Sequence, residues 1–160
     1  NDASPVNDSS RARGVLPGVG EDSVVIDNIL TKQKGEVVYS FGGYMRKFVN
    51  EARARGATPI INSLTPRKFW KDGKIVRNRN SFADWAEQTA AAEHVPFVNL
   101  TEIASLKMDT MPPSKIDALY GDANLHSTAT GADLNARSIV EGLRTLDDSN
   151  PLKPYLRPPR

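Results

Sequence analysis

Asp122 and His126 are the residues of this sequence whose types and spacing are most suggestive of catalysis. A carboxylate that holds one nitrogen of an imidazole fixes the tautomer of the ring and stabilises the imidazolium formed when the ring takes a proton. Both residues precede a run of small residues typical of a helix start, so one loop can direct both side chains into a cleft. Taken alone, an Asp and a His this close more often form a solvated loop pair or a helix N-cap contact.

The composition limits the other kinds of reactive site. The chain has no cysteine and two histidines. Disulfides, thiolate ligands and a cysteine nucleophile are therefore excluded. Two histidines without clustered carboxylates do not make a transition-metal site, so we expect neither a metal nor an organic cofactor. The second histidine, His94, lies near a predicted helix C-terminus, where the helix dipole favours it without any function.

The length and charge describe an ordinary globular protein. The 160 residues are 39% apolar and 25% charged, with a net charge of +2. A single domain with a real core fits this size. Lys and Arg are scattered among acids, so a nucleic-acid binder is a distant third hypothesis, and no apolar run approaches the roughly 20 residues of a membrane helix.

Helices and strands alternate along the predicted chain. Residues 1–35 read as a long loop rich in Gly and Pro, and apolar residues at helical spacing predict a helix from Glu36 to Gly56. The remaining predictions are a strand around Ile60 and Ile61, a hairpin at Asp72 and Gly73, a helix capped by Asn80 or Ser81, a strand at residues 97–100, a helix capped by Thr101, and a last helix from about Thr130 to Leu146 that buries Ala132, Ala136, Ile139, Val140 and Leu143.

This order predicts an α/β fold with a parallel sheet between helices, in which ligands bind at the carboxyl ends of the strands. Two strands are too few for a stable open sheet, so we expect further strands before residue 1. The opening NDASPVNDSS has neither an initiator Met nor the pattern of a signal peptide, which agrees with a longer reading frame.

Several stretches resemble a known family of esterases. Residues 121–136, GDANLHSTATGADLNA, resemble the last conserved block of the SGNH or GDSL hydrolases, and Asn1 with Asp2 resembles the end of that superfamily's GHND block. Residues 11–22, 44–70 and 71–78 resemble the bacterial rhamnogalacturonan acetylesterase branch. The resemblance spans the chain from Asn1 to about Leu146.

The resemblance implies a three-layer α/β/α sandwich of the flavodoxin-like SGNH hydrolase type, with its N-terminal strands missing from this sequence. Residues 1–146 would be the C-terminal part of that single domain, and residues 147–160 a Pro-rich tail. Members of this family point to a secreted or periplasmic location.

The resemblance also implies catalytic roles. His126 would be the general base for a serine, Asp122 would orient it, and Asn1 would donate its side-chain amide to the oxyanion. The family spacing puts the acid three residues before the histidine, where this chain has Ala123, so Asp122 stands one residue early. The family's nucleophilic serine lies in a GDS block. No GDS occurs here, and we expect the serine upstream or on another chain.

The implied substrate is an acetylated pectic polysaccharide. Arg11 and Arg13 are candidates to hold its carboxylates, although solubility explains any one arginine equally well. Trp70, beside Phe69, is a candidate to stack on a sugar ring. No serine of the chain has the glycine setting of an exposed nucleophile. The main alternative is a catalytically inactive carbohydrate-binding or scaffold domain of the same fold.

Overall fold

The computed structural model describes residues 14–28, 32–77, 80–147 and 150–157. They form a mixed α/β protein with small sheets. The elements are β1 (Ser23–Ile26), β2 (Glu36–Tyr39), α1 (Phe41–Ala54), β3 (Ile61–Asn62), β4 (Trp70–Lys71), β5 (Lys74–Ile75), α2 (Phe82–Ala92), β6 (Phe97–Val98), α3 (Leu100–Met108), α4 (Pro113–Asp117), α5 (Ala129–Thr145) and a 3₁₀ turn (Lys153–Tyr155). None of the helices in these ranges is long and apolar enough to cross a membrane.

The described residues divide into two compact units. The first unit is drawn from residues 1–59 and 80–95, and the second from residues 60–79 and 96–160. The candidate catalytic loop belongs to the second unit. Each unit has its own helices and its own strand pairs.

In the first unit, β1 and β2 form an antiparallel pair that the sequence analysis missed. We had predicted a loop for β1 and a helix for β2. Val37 is 39% exposed and Val38 is 1% exposed, which is the alternation of a strand. The helix begins only after Ser40, whose hydroxyl accepts the Gly43 N–H at 2.9 Å and thereby caps α1.

Helices α1 and α2 pack through aromatic rings. Phe41 contacts Phe82 and Trp85 with ring centroids 5.5 and 6.1 Å apart. The predicted close packing at Gly42 is confirmed, because a Cβ there would lie 2.6 Å from the Cα of Val19 in the preceding loop. The predicted helix start at residue 81 is also confirmed, since Ser81 is the N-cap residue of α2.

In the second unit, β3 and β6 form the parallel pair that the sequence predicts. The hairpin at Asp72 and Gly73 is confirmed, and both residues have the positive φ that a two-residue hairpin turn requires. The predicted cap at Thr101 is wrong. Asn99 caps α3 by accepting the Glu102 N–H at 3.1 Å, and the Thr101 hydroxyl donates to the Leu64 carbonyl instead.

Helix α5 lies on the second unit with a different face from the one predicted. Ala132 and Ala136 are exposed, and the buried residues are Gly131, Ser138, Gly142 and Leu143. A Cβ at Gly142 would lie 2.4 Å from Cγ1 of Val98, so the glycine lets the helix approach β6 closely. Backbone proximity at the glycines, rather than apolar spacing, sets the orientation of α5.

Candidate active site

The loop before α5 is closed at its base by backbone hydrogen bonds. The Gly121 N–H donates to the His126 carbonyl at 2.7 Å, and the Thr128 N–H donates to the Leu119 carbonyl at 2.9 Å. Tyr120 and Ser127 form an antiparallel bridge between these two bonds. The ends of the loop are therefore held together, and its side chains are presented on a short, closed turn.

Asp122 organises this loop from inside. Its Oδ1 accepts the backbone N–H groups of three residues: Asn124 at 3.0 Å, Leu125 at 2.7 Å and His126 at 3.1 Å. Its Oδ2 lies 2.6 Å from Nδ1 of His126. The hydrogen bonds from the Leu125 amide and the His126 ring hold the pKa of Asp122 well below its usual range. The carboxylate is thus ionised at neutral pH.

His126 has one ring nitrogen engaged and the other accessible. An ionised carboxylate only accepts hydrogen bonds, so in the neutral ring the proton lies on Nδ1, facing Asp122. Nε2 is then left as the basic atom. The His126 side chain is 67% exposed, and Nε2 has no hydrogen-bond partner among the described residues. This arrangement can orient a general base for a proton donor that approaches from solvent.

The one-residue departure from the family spacing does not prevent contact between acid and ring. Asp122 stands four residues before His126, and the turn brings Oδ2 to the ring because Oδ1 gathers the intervening amides. The loop therefore accommodates the extra residue within its own hydrogen bonds.

Thr128 joins the loop to the helix. Its hydroxyl accepts the Gly131 N–H at 3.2 Å as the N-cap of α5 and donates to the Ala118 carbonyl at 2.7 Å. A Cβ at Gly131 would lie 2.1 Å from the Leu119 carbonyl oxygen, so only glycine allows this approach. The helix begins at Ala129, one residue before the predicted start.

A second segment, residues 66–70, is fastened to the same loop. The Lys68 N–H donates to the Asn124 carbonyl at 3.0 Å, and Nζ of Lys68 pairs with Asp117 at 2.9 Å. The Tyr120 hydroxyl donates to the Pro66 carbonyl at 2.8 Å, and burial raises the pKa of Tyr120 to about 12. This segment leads into Trp70, so the bonds tie the predicted sugar-stacking residue to the loop of His126.

Trp70 and Phe69 are partly exposed, at 41% and 44%. Their exposure and their attachment to the loop agree with a contact surface. Sequence analysis had no signal for this link, because Lys68 and Asn124 are far apart along the chain.

The other predicted site residues divide into two groups. Asn1, Arg11 and Arg13 lie outside the described residues, so their predicted roles stay predictions. His94 is exposed and follows the C-cap of α2 with a φ of 52°, where its N–H donates to the Ala91 carbonyl at 3.2 Å. That is the helix-end position predicted for it.

Arg77 was one of several loop arginines considered for a substrate carboxylate, and it is engaged internally instead. It is paired with Asp109 at 2.8 Å and with Glu102 at 3.1 Å. Burial lowers the pKa of Arg77, but these two hydrogen-bonded carboxylates outweigh burial and raise that pKa above its ordinary value. Arg77 thus fastens the end of the β4–β5 hairpin to α3.

The serines near the loop have structural partners. Ser127 Oγ accepts a hydrogen bond from Asn135 at 3.3 Å. Ser63 is buried, where its Oγ accepts the Thr101 N–H at 2.9 Å and donates to Asn99 at 3.3 Å. Within the described part of the chain, no group of three or more acidic or histidine side chains is placed to hold a metal ion.

No protein-family model matches this chain, and no curated protein matches it. The relationship to the SGNH hydrolases therefore rests on the residues already quoted and on the loop geometry.

Proposed function

We propose that this chain supplies the base and its orienting acid to a serine-type carbohydrate esterase that removes acetyl groups from rhamnogalacturonan, a pectic polysaccharide. The observation that carries the proposal is the 2.6 Å contact between Asp122 Oδ2 and His126 Nδ1. The contact leaves the rest of an exposed imidazole open to solvent. The proposed fold is the three-layer α/β/α sandwich of the SGNH hydrolases, of which the parallel β3–β6 pair would be a part.

The proposed reaction has two stages. Nε2 of His126 takes the proton of the serine hydroxyl as its oxygen attacks the acetyl carbonyl, and the imidazolium then returns that proton to the departing sugar oxygen. In the second stage His126 takes a proton from water, which attacks the acetyl-enzyme and releases acetate. Asp122 stabilises the imidazolium in both stages, and the side-chain amide of Asn1 donates to the oxyanion.

The nucleophile lies outside these residues in this proposal. The sequence contains no GDS block, and Ser63 and Ser127 both have structural partners. The serine is proposed to lie on an upstream segment of the same protein. Trp70 is proposed to stack on a sugar ring, and Arg11 with Arg13 to bind galacturonate carboxylates.

Acetate release from acetylated rhamnogalacturonan tests this proposal, in a protein that joins this chain to the segment bearing the GDS serine. His126→Asn should lower kcat by at least about 100-fold, because the base is lost. His94→Asn is the matched control, since asparagine tolerates the positive φ of residue 94 and activity should be unchanged. Equal activity in the two variants would contradict the role of His126.

A fluorophosphonate tests where the nucleophile lies. The 160-residue chain alone should gain no adduct by intact mass, and the joined protein should be labelled on the GDS serine. An adduct on a serine within these residues that disappears in His126→Asn would show that this chain carries its own nucleophile.

The second candidate is a carbohydrate-binding domain without turnover. The missing GDS block and the exposed Phe69 and Trp70 favour it. Calorimetry with acetylated rhamnogalacturonan oligosaccharides distinguishes the two functions. Binding that Trp70→Ala abolishes, together with no acetate release from the joined protein, would support this second function.

A further inference from the structure

The second unit contains a cavity of about 500 Å³ that the proposed esterase chemistry does not use. It lies where the end of α3, the short helix α4 and the first turns of α5 meet. Its volume falls within the range of roughly 300 to 1,000 Å³ typical of small-molecule sites. All of its lining residues belong to the second unit.

The walls of the cavity are mainly apolar and are fixed by the core. Leu119 is 5% exposed and belongs to the core cluster, and Met111 and Leu134 pack against that cluster. Because core contacts hold these side chains from behind, the cavity does not depend on a mobile surface group for its shape. Met111 also has the flexibility to adapt to the shape of an apolar ligand.

The rim of the cavity is positively charged. Lys107, Lys115 and Arg137 line it together with a single carboxylate, Asp133. Arg137 pairs with Asp133 at 2.7 Å, and Lys107 pairs with Glu141 at 2.8 Å. These two cations therefore have internal partners.

Lys115 is the cation left over. It forms no ion pair with any residue that the structure describes, and it is exposed. An apolar cavity with one uncompensated ammonium at its edge is complementary to a ligand with an alkyl body and one negative charge.

We propose that this cavity binds a medium-chain fatty carboxylate. Its alkyl chain would lie against Met111, Leu119 and Leu134, and its carboxylate would pair with Lys115 at the rim. The lysine stem can cover part of the chain while its ammonium stays in water. The proposal does not depend on the esterase function, because no cavity residue belongs to the loop of Asp122 and His126.

Decanoate is the probe for this site, titrated into the 160-residue chain by calorimetry below its micelle-forming concentration. Decanol has the same chain length without the charge. Decanoate should bind roughly fivefold more tightly than decanol, which is the upper range for a solvent-exposed ion pair. Lys115→Gln should remove that difference and leave decanol binding unchanged.

Lys71→Gln is the matched control, because Lys71 is also exposed and lies outside the cavity lining. It should bind both probes as the unmodified chain does. Ala118→Phe should abolish binding of both, since Ala118 lines the cavity and is exposed enough to accept a larger side chain. Circular dichroism of each variant would check that the fold is retained.

Three results would overturn the proposal. They are no decanoate binding, equal affinity for decanoate and decanol in the unmodified chain, and equal effects of Lys115→Gln and Lys71→Gln. His126→Asn should leave decanoate binding unchanged, so failure of this proposal and failure of the esterase function are separate results.

Discussion

Asp122 holds His126 at two points, with Oδ2 at 2.6 Å from the ring nitrogen Nδ1 and Oδ1 at 3.1 Å from the backbone nitrogen. A carboxylate that contacts only the ring leaves the backbone free to turn the imidazole away. Here the same side chain restrains both, and two more amides hold the carboxylate itself. The orientation of the imidazole is therefore a property of the loop and does not require a bound substrate.

The first prediction concerns the ionisation of Asp122. Its folded-state pKa is lowered, so its contribution to stability is full above the ordinary aspartate pKa of about 3.9 and is lost as the pH falls towards the lower folded value. The carboxyl carbon of Asp122, followed by NMR, should titrate below the usual range. A midpoint at or above the ordinary value would contradict the hydrogen bonds assigned to this side chain.

The stability of Asp122→Asn provides the matching test of that linkage. The difference in free energy of unfolding between this variant and the unmodified chain should be largest near neutral pH and should shrink as the pH falls below 3.9. Denaturant titrations at several pH values would measure it. A difference that stays constant with pH would mean that the charge of Asp122 makes no contribution.

The second prediction concerns the cap of α5. Thr128→Ala removes the hydroxyl that accepts the Gly131 N–H and donates to the Ala118 carbonyl, so it should cost about 1 to 2 kcal/mol in the free energy of unfolding. Thr130→Ala is the control on the same helix. Thr130 is exposed within the helix, and alanine there should be neutral or slightly stabilising. Denaturation curves that give equal losses for both variants would contradict the cap.

Local sequence patterns predicted the elements whose causes are local. Asp72 and Gly73 indicated the hairpin because the turn needs two residues that tolerate positive φ. The β1–β2 pair was missed, because Val38 and Phe41 also fit helical spacing and only Ser40 separates the strand from the helix. Sequence spacing thus gave the right elements with some wrong boundaries.

The candidate site shows the same division. The residue types of Asp122 and His126 indicated an acid and a base, and their contact depends on a turn formed by neighbouring amides. The bond between Lys68 and Asn124 joins residues far apart in the sequence, so no local pattern could predict it. The buried face of α5 was mispredicted because glycine packing, which apolar periodicity ignores, determines it.

The third prediction concerns Gly131. Alanine in a helix is ordinarily about 1 kcal/mol better than glycine, yet Gly131→Ala should destabilise the chain. Its Cβ would lie 2.1 Å from the Leu119 carbonyl oxygen, a backbone atom that is already the acceptor for Thr128. Gly142→Ala is the comparison, because its Cβ meets side-chain atoms of Val98 and Ile103 that can adjust. Thermal unfolding should show a larger loss at residue 131, and a gain there would contradict the close approach.

The fourth prediction concerns Tyr120, whose hydroxyl holds the segment of Pro66 against the second unit. Burial raises its folded pKa to about 12, against an ordinary value near 10, because the buried site disfavours the phenolate. The neutral phenol therefore contributes stability that is fully present below pH 10 and is lost as the pH rises to about 12. Ultraviolet titration should show one phenol that ionises near pH 12 in the folded chain. Tyr120→Phe should remove that phenol and flatten the loss of stability between pH 10 and 12, whereas Tyr155→Phe, at an 80% exposed position, should change neither. If the late-ionising phenol persists in Tyr120→Phe, the hydrogen bond to Pro66 is not what holds segment 66–70 beside the loop of His126.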